Sequence, residues 1–234
     1  MRSSAASDVY KRQVQGHPWP GVDTPMRVVA HADDSSNPNP PENDDTTFDA
    51  STVMNWTGEG EQTAYLIIQW NDNREENAMV FGYRYDGTKY GIDLVNAVVK
   101  ANPQLYFLTH STDLGYTVAG FGWDVDADRN TALVKNSKVY TPDHANSTVT
   151  TTSYDYDDWT AVDDDDLWKS GWYNGFWTYW CKDSFSSEFS YSQLGASSRM
   201  LTDGCVDAYS YSIIEGNKSV SYTHLRAHET ELHL

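Results

Sequence analysis

The sequence predicts an α+β fold that is mostly β, with β-sandwich-like antiparallel sheets and one packed helix. Two observations carry this prediction. Short runs rich in β-branched and aromatic residues recur between turn signals along most of the chain, as expected for strands. Only one segment, at about residues 90–101, places its apolar residues at helical spacing. Seven or eight strands with a single helix belong to this class.

Both ends of the chain differ in character from the middle. Residues 1–13 resemble a translated transposase adapter from sequencing-library preparation, and residues 220–234 resemble the opposite adapter, so we expect both segments to be non-native and leave them out of the fold. Residues 14–49 are rich in Pro, Ser and Asp, which predicts a disordered leader or linker with a short edge strand at 28–31. Residues 50–219 are predicted to form a single β-rich ligand-binding domain.

The first half of this domain predicts a strand pair, the helix and a second strand pair. Residues 63–70 and 78–85 are β-branched and aromatic and flank a polar turn. The helix follows, because Ile92, Val95, Val98 and Val99 fall on one helical face, and it ends before Asn102-Pro103. Residues 104–109 and 116–123 are the next two predicted strands.

The second half predicts four further strands around one long loop. Residues 132–140 indicate one strand, and residues 141–166 form a polar segment without periodicity, which is typical of a functional or disordered loop. The last three predicted strands are residues 175–182, 188–193 and 205–213, separated by glycine-containing breaks.

The charge of the chain restricts its partners. There are 16 Lys and Arg against 34 Asp and Glu, which gives a net charge of −18. Such a chain has too few cations to neutralise phosphates, so nucleic acid and anionic membrane surfaces are disfavoured as partners.

The longest apolar run, residues 64–68, is far shorter than a membrane span, so we predict no transmembrane segment. The low Lys content with abundant Asp, Asn, Thr, Tyr and Trp fits an extracellular protein.

The two cysteines, Cys181 and Cys205, leave two alternatives open. Their spacing excludes a CxxC redox pair and is too sparse for a Cys-rich zinc site. They form either one disulfide, worth ~3 kcal/mol in the chain-entropy model, or two separate thiols. We predict the disulfide, because both cysteines lie in the same predicted β-region.

An acidic loop after the strand at 116–123 has the pattern of a calcium site. Asp124, Asp126, Asp128 and Asn130 place oxygen side chains at every second position, and Ca²⁺ prefers oxygen ligands. The loop is not a complete EF-hand, because Arg129 stands where that loop requires Gly. The alternatives are a partial Ca²⁺ site or a solvated acidic turn. The denser run of Asp residues at 157–166 is predicted to be a solvated loop.

The segment at 168–180 contains four Trp, two Tyr and one Phe. Gly175 divides it into a glycine-punctuated loop with Trp168, Trp172 and Tyr173, and a strand with Trp177 and Tyr179. Loops carry binding residues more often than strands do. We therefore predict that the loop aromatics bind ligand by stacking on sugar rings or on a flat macrocycle. The strand aromatics are assigned to the core or, alternatively, to the same site.

Arg84 is a further candidate ligand residue. It lies between Tyr83 and Tyr85 in a predicted strand, so alternation turns it to the opposite face. An arginine in an apolar strand needs a carboxylate partner, which Asp72 or Asp86 can supply. The alternatives are a structural ion pair and a ligand contact. No histidine lies in a recognisable catalytic or metal-binding motif.

The chain carries the block WNDNREENAMVFGYRYDGTKYGIDLVNAVVKANPQLY at 70–106. Matching blocks follow at 120–128, 171–183 and 195–204. Together these blocks resemble a family of bacterial secreted or cell-surface proteins. The resemblance implies export, often with a surface or lipid anchor. Members occur in gut Bacteroidetes, and some are encoded near corrinoid-uptake loci, which implies an outer-membrane uptake complex as partner. This chain has Phe81 and Tyr85 in place of family Trp residues, Cys181 in place of an aliphatic residue, and CVDAY in place of a Trp-containing block at 205–209.

Together these observations predict a non-catalytic extracellular or cell-surface binding protein. Its aromatic site would take a bulky small-molecule or glycan ligand, either a corrinoid (cobalamin) or a carbohydrate, with Ca²⁺ as an additional ion. The alternatives are a structural or adhesion module and a carboxylate-based glycoside hydrolase, which needs two carboxylates facing each other across a cleft.

Overall fold

The computed structural model describes residues 53–70, 78–112, 115–143, 145–184 and 187–215, and three short strands at 27–29, 218–220 and 224–226. The predictions for the two chain ends and for the leader at 14–49 otherwise lie outside the described residues. The two outermost strands, β1 (Arg27–Val29) and β16 (His224–Arg226), pair with each other in parallel.

Within the described residues there are one helix and fourteen further strands. The helix is α1 (Gly91–Ala101). The strands are β2 (Asn55–Gly58), β3 (Gln62–Gln69), β4 (Ala78–Tyr85), β5 (Leu105–Thr112), β6 (Gly115–Trp123), β7 (Leu133–Lys135), β8 (Lys138–Tyr140), β9 (Thr148–Thr151), β10 (Thr160–Ala161), β11 (Leu167–Ser170), β12 (Gly175–Lys182), β13 (Ser190–Tyr191), β14 (Cys205–Glu215) and β15 (Lys218–Val220).

The largest sheet has seven strands in the order β13-β12-β14-β3-β4-β2, with β15 added on β14. Strand β14 lies at its centre, antiparallel to β12 and parallel to β3. The β3–β4 pair is antiparallel, and the short β2 runs parallel to β4. The sheet is therefore mostly antiparallel but contains two parallel pairs, whose crossover connections bring distant parts of the chain together.

A four-stranded sheet, β11-β6-β5-β9, packs across the inner face of the large sheet, together with α1. Phe121 on β6 marks the contact, because its ring centroid lies 5.1 Å from that of Trp177 and 5.5 Å from that of Tyr209. The indole of Trp70 donates a hydrogen bond of 2.9 Å to the carbonyl of Phe121. The main hydrophobic core thus lies between two sheets, with the apolar face of α1 closing one side.

Two smaller clusters cover the other faces of these sheets. Ile67, Val80, Trp180 and Ala208 form a buried group on the outer face of the large sheet. Tyr106, Leu108 and Tyr156 belong to a cluster on the far face of the four-stranded sheet, which also contains Leu133 of the three-stranded sheet β10-β7-β8. All eight residues of β12 are buried, as expected for a strand covered on both faces.

The predicted class is confirmed: the described chain is mostly strand, with one helix packed on several sheets that are largely antiparallel. The predicted helix corresponds to α1, and its apolar face is buried as expected. Among the described residues, no helix is long and apolar enough to cross a membrane.

Two predicted elements are wrong. The single strand expected at 132–140 is a hairpin of β7 and β8, because Asn136 and Ser137 adopt left-handed backbone angles, with φ of 51° and 62°, and reverse the chain. The long loop expected at 141–166 contains β9 and β10. These strands are short and polar, so they lack the alternation that identifies longer strands.

Candidate functional site

Trp168 lies in strand β11, so the prediction of a loop at this position is wrong. Its ring stacks on Tyr106 at a centroid distance of 5.4 Å and an interplanar angle of 3°. Its indole N–H donates to the carbonyl of Trp159 at 2.8 Å. Both the face and the polar tip of Trp168 are therefore engaged inside the protein.

Two glycines of β6 make room for this stack. A Cβ on Gly122 would collide with the Tyr106 ring, and a Cβ on Gly120 would lie 2.7 Å from Cη2 of Trp168. The two rings therefore rest directly on the backbone of β6. This arrangement resembles the covering of strand glycines by aromatic side chains that stabilises curved sheets.

Trp172 and Tyr173 lie in the turn between β11 and β12. The carboxylate of Asp157 accepts hydrogen bonds from the backbone N–H groups of Trp172, Tyr173 and Asn174, at 3.0–3.3 Å. Trp172 is buried, whereas Tyr173 is 50% exposed. Asp157 was expected in a solvated loop; it is instead buried and fixes the turn that begins the aromatic strand.

Trp172, Trp177 and Tyr179 line one cleft, between the start of β6, the edge of the large sheet at β12 and β13, and the segment at 192–197. The cleft is small, with a volume of about 100 Å³. Seven of its fifteen lining residues are aromatic, and none is charged: the aromatic ones are Tyr116, Trp172, Phe176, Trp177, Tyr179, Tyr191 and Tyr209. Trp168, Tyr173 and Arg84 are not among the lining residues.

Below the cleft, Tyr179 and Tyr209 stack at 4.6 Å and 8°. The hydroxyl of Tyr179 donates to Asp207, whose side chain is 1% exposed. Oδ1 of Asp207 lies 3.5 Å from Nε of Arg199. Burial raises the pKa of the Asp207 carboxyl, although the Tyr179 hydroxyl and the Arg199 guanidinium act in the opposite direction. This polar group fixes the two rings that form the base of the cleft.

The prediction of a disulfide is wrong. Cys181 and Cys205 are both buried free thiols. Cys181 pairs directly with Asp207 across β12 and β14, so Cys205 is its diagonal neighbour. Diagonal neighbours lie about 7–8 Å apart, beyond the range of about 4.4–6.8 Å between Cα atoms that a disulfide spans. Burial and the nearby Asp207 carboxylate raise the pKa of the Cys205 thiol to about 11.

Arg84 is exposed on the face of β4 opposite Tyr83 and Tyr85, as alternation predicts. Its guanidinium lies 4.8 Å from the ring centroid of Trp56, in a cation–π contact. No carboxylate of the described residues forms an ion pair with it, and Asp72 lies outside them. The contact with Trp56 gives Arg84 a structural partner away from the cleft.

The predicted calcium ligands Asp124, Asp126 and Asp128 are brought together, with one carboxylate oxygen of each within 4.8 Å of the others. Asn130 lies at the end of the same loop, where its backbone N–H donates to Asp128 at 2.6 Å. An all-oxygen group of this kind is suited to a hard cation.

The Asp run at 157–166 is only partly solvated. Oδ2 of Asp166 accepts a hydrogen bond of 2.8 Å from the Tyr106 hydroxyl. Burial raises the pKa of Asp166 to about 6; the Tyr106 hydroxyl opposes this increase, and the carboxylates of Asp124 and Asp163 add to it. Asp164 and Asp165 are exposed, as expected for a solvated loop.

Sequence reasoning missed the residues that complete the cleft. Tyr209 comes from β14, Tyr116 comes from β6, and the far wall comes from residues 192–197. Asp207, also on β14, lies behind Tyr179 and outside the lining. The CVDAY block at 205–209 holds both Asp207 and Tyr209, but only the pairing of β12 with β14 shows that they meet Tyr179. His110, which no motif included, is hydrogen-bonded to the Tyr156 hydroxyl at 2.6 Å inside the smaller core.

Comparison of the chain with protein-family models, curated proteins and solved structures finds no match.

Proposed function

We propose that the protein is a non-catalytic extracellular or cell-surface binding protein that holds a neutral, ring-containing ligand in the aromatic cleft. The lining carries this proposal, because seven aromatic side chains surround a concave space without any charged group. Aromatic faces stack on the apolar faces of flat or cyclic ligands. Hydroxyl groups of Thr117, Ser192 and Ser197 stand beside the rings and can orient polar substituents.

A glycan is the first candidate ligand and a corrinoid is the second. The cleft volume of about 100 Å³ is below the range of about 300–1,000 Å³ that is typical of small-molecule sites, so the cleft takes one ring of a ligand and not a whole bulky molecule. A neutral glycan can enter such a cleft one ring at a time and combine stacking with hydroxyl hydrogen bonds. A corrinoid macrocycle is larger and would insert only one edge, which makes it the weaker fit.

Binding is better supported than hydrolysis. A glycosidase needs two carboxylates facing each other across its cleft, and the lining contains neither Asp nor Glu. The carboxyl of Asp207 is buried behind Tyr179, and that of Asp157 is occupied by the backbone N–H groups of the turn at 172–174. A structural or adhesion module is the rival function, because the polar tips of Trp168 and Trp177 are bonded within the protein.

The proposal is tested by titrating the full chain with a panel of neutral oligosaccharides and with cobalamin. Trp172 and Trp177 line the cleft, so occupancy should change their fluorescence, and calorimetry gives an independent affinity. If no ligand binds to protein that remains folded by circular dichroism, the structural or adhesion function replaces the proposal.

Two tyrosines of matched exposure locate the site. Tyr116 lines the cleft and is 49% exposed, whereas Tyr173 is 50% exposed and lies outside it. Loss of one stacking ring should make Tyr116→Ala bind about tenfold more weakly, while Tyr173→Ala binds as the parent does. The reverse result would move the site to the turn at 171–174, where the sequence predicted it.

Export and an outer-membrane uptake partner are part of the same proposal. They are supported by the acidic, Lys-poor composition and by the family resemblance. Protease treatment of intact cells that produce the protein should degrade it from outside. Full protection of the protein in intact cells would contradict the extracellular assignment.

A further inference from the structure

The acidic loop that follows β6 has a feature that the proposed function does not use. Asp124, Asp126 and Asp128 each contribute a carboxylate oxygen to a group no wider than 4.8 Å. Three like charges at such separations repel one another unless a cation lies among them.

Asp124 provides a second and independent observation. Its side chain is 0% exposed. Oδ2 accepts the backbone N–H of Arg129 at 2.8 Å, but Oδ1 has no hydrogen-bond partner among the described residues. No Lys or Arg of the described chain forms an ion pair with it. A buried carboxylate oxygen beside two other carboxylates, without donor or counter-charge, is the arrangement that a bound cation satisfies.

We propose that Asp124, Asp126 and Asp128 bind one Ca²⁺ ion, with the side-chain oxygen of Asn130, backbone carbonyls and water completing the shell. Ca²⁺ takes six to eight oxygen ligands in flexible geometry, whereas Mg²⁺ demands a near-ideal octahedron and Zn²⁺ prefers nitrogen and sulfur. Ligands from alternate residues of one exposed loop fit Ca²⁺ best.

The buried and the exposed ligands of the loop play different parts in binding. The backbone of Asp124 is held by Gln104, whose carbonyl accepts its N–H and whose side-chain amide donates to its carbonyl, both at 2.8 Å. This fixes the inner ligand in advance. Asp126 and Asp128 are exposed and close over the ion from the solvent side.

The calcium site is separate from the aromatic cleft. Tyr116, Thr117 and Val118 line the cleft at the beginning of β6, whereas Asp124 follows the end of the same strand. The ion therefore stabilises the loop at 124–130 and does not touch the ligand. Failure of calcium binding would leave the proposed ligand function intact, and the reverse is also true.

The test uses the full chain after treatment with a chelator. The melting temperature should rise on addition of Ca²⁺ but not of Mg²⁺, with half-saturation at about 10⁻⁴–10⁻³ M, as in extracellular calcium modules. Tb³⁺, which replaces Ca²⁺, should show luminescence sensitised by the neighbouring Trp123.

Four variants distinguish a built site from general charge screening. Asp126→Asn and Asp128→Asn change exposed side chains and should weaken Ca²⁺ binding about tenfold or more. Asp164→Asn removes the same charge from an exposed position outside the group and should bind as the parent does. Asp124→Asn should raise the melting temperature in chelator, because it removes a buried charge, and should abolish the response to Ca²⁺.

Either of two results overturns the proposal. One is a parent protein whose melting temperature and Tb³⁺ luminescence do not respond up to about 10 mM cation, well above the affinity range given. The other is an equal loss of affinity in Asp164→Asn and Asp126→Asn.

Discussion

At the scale of single residues, the buried tyrosines differ in whether their hydroxyl is satisfied. Tyr179 and Tyr106 donate to buried carboxylates, whereas the hydroxyl of Tyr85 has no partner among the described residues although Tyr85 is 1% exposed. A buried polar group without a hydrogen-bond partner destabilises the folded state. Removing a buried group that has a partner also destabilises it, because the partner is left unsatisfied. We therefore expect removal of the Tyr85 hydroxyl to leave the protein as stable or more stable, and removal of the Tyr179 hydroxyl to destabilise it.

Tyr85→Phe should leave the free energy of unfolding unchanged or raise it by about 1 kcal/mol, because it removes an unpaired hydroxyl without changing the packing. Tyr179→Phe is the matched substitution and should lower the free energy of unfolding by about 1–3 kcal/mol, because Asp207 loses a donor. Urea unfolding measures both values. Equal destabilisation by the two substitutions would contradict this assignment.

Asp166 should make stability depend on pH. Its pKa in the folded protein is about 6, above the value of about 4 expected for an unfolded chain. The folded state therefore holds this proton more tightly, so the contribution is present below about pH 4 and is lost as the pH rises through 6. In chelator, the difference in unfolding free energy between Asp166→Asn and the parent should shift in favour of the variant between pH 4 and pH 7. Parallel pH profiles would contradict the raised pKa.

The residues of the site were only partly predictable. Trp177 and Tyr179 could be selected from sequence because they lie in one aromatic strand. Tyr209 and Asp207 could not, because strand pairing between β12 and β14 places them, and register between distant strands is not encoded in local pattern. For the same reason a diagonal cysteine pair looks like a disulfide in the sequence.

At the scale of elements, the long apolar strands and α1 follow from periodicity, whereas the short strands β9, β10 and β11 do not. β11 is not predicted because it has only four residues and precedes a glycine-punctuated turn, so Trp168 is assigned to a loop. What places it in the sheet is the glycine pair of β6, since Gly120 and Gly122 leave a flat surface that the Trp168 and Tyr106 rings cover. The glycines of this strand allow the two rings to approach its backbone closely.

Gly122→Ala should therefore lower the free energy of unfolding by about 1–3 kcal/mol, because the added Cβ collides with the Tyr106 ring. Gly195→Ala is the control, since a Cβ there meets nothing within 4 Å. Thermal unfolding of both variants gives the comparison, and near-ultraviolet circular dichroism reports the loss of the Tyr106–Trp168 stack. A Gly122→Ala protein as stable as the control would show that the stack is not packed on β6.

At the scale of the whole molecule, β14 joins the two halves of the large sheet. Its neighbours are β12 on one side and β3 on the other. Without it, both neighbours would expose apolar side chains and unpaired backbone groups along one edge, which promotes aggregation. The predicted fold class did not include this arrangement, because parallel pairing between the beginning and the end of a domain has no local sequence signal.

A fragment of residues 53–220 should fold with cooperative unfolding, because it contains every strand of the large sheet and the whole of the four-stranded sheet. A fragment of residues 53–204 lacks β14 and should be unfolded or aggregated. Circular dichroism and size-exclusion chromatography distinguish the two. Cooperative unfolding of the shorter fragment would show that β14 is dispensable.

The central position of β14 also sets when the protein can fold during its synthesis. Gln69 on β3 and its neighbour Ser210 on β14 are separated by 141 positions along the chain. A ribosome that has completed β3 must add almost the entire domain before the strand that closes the sheet emerges. The large sheet therefore cannot close until translation of the domain is almost complete, whereas every strand of the four-stranded sheet has been synthesised before β14.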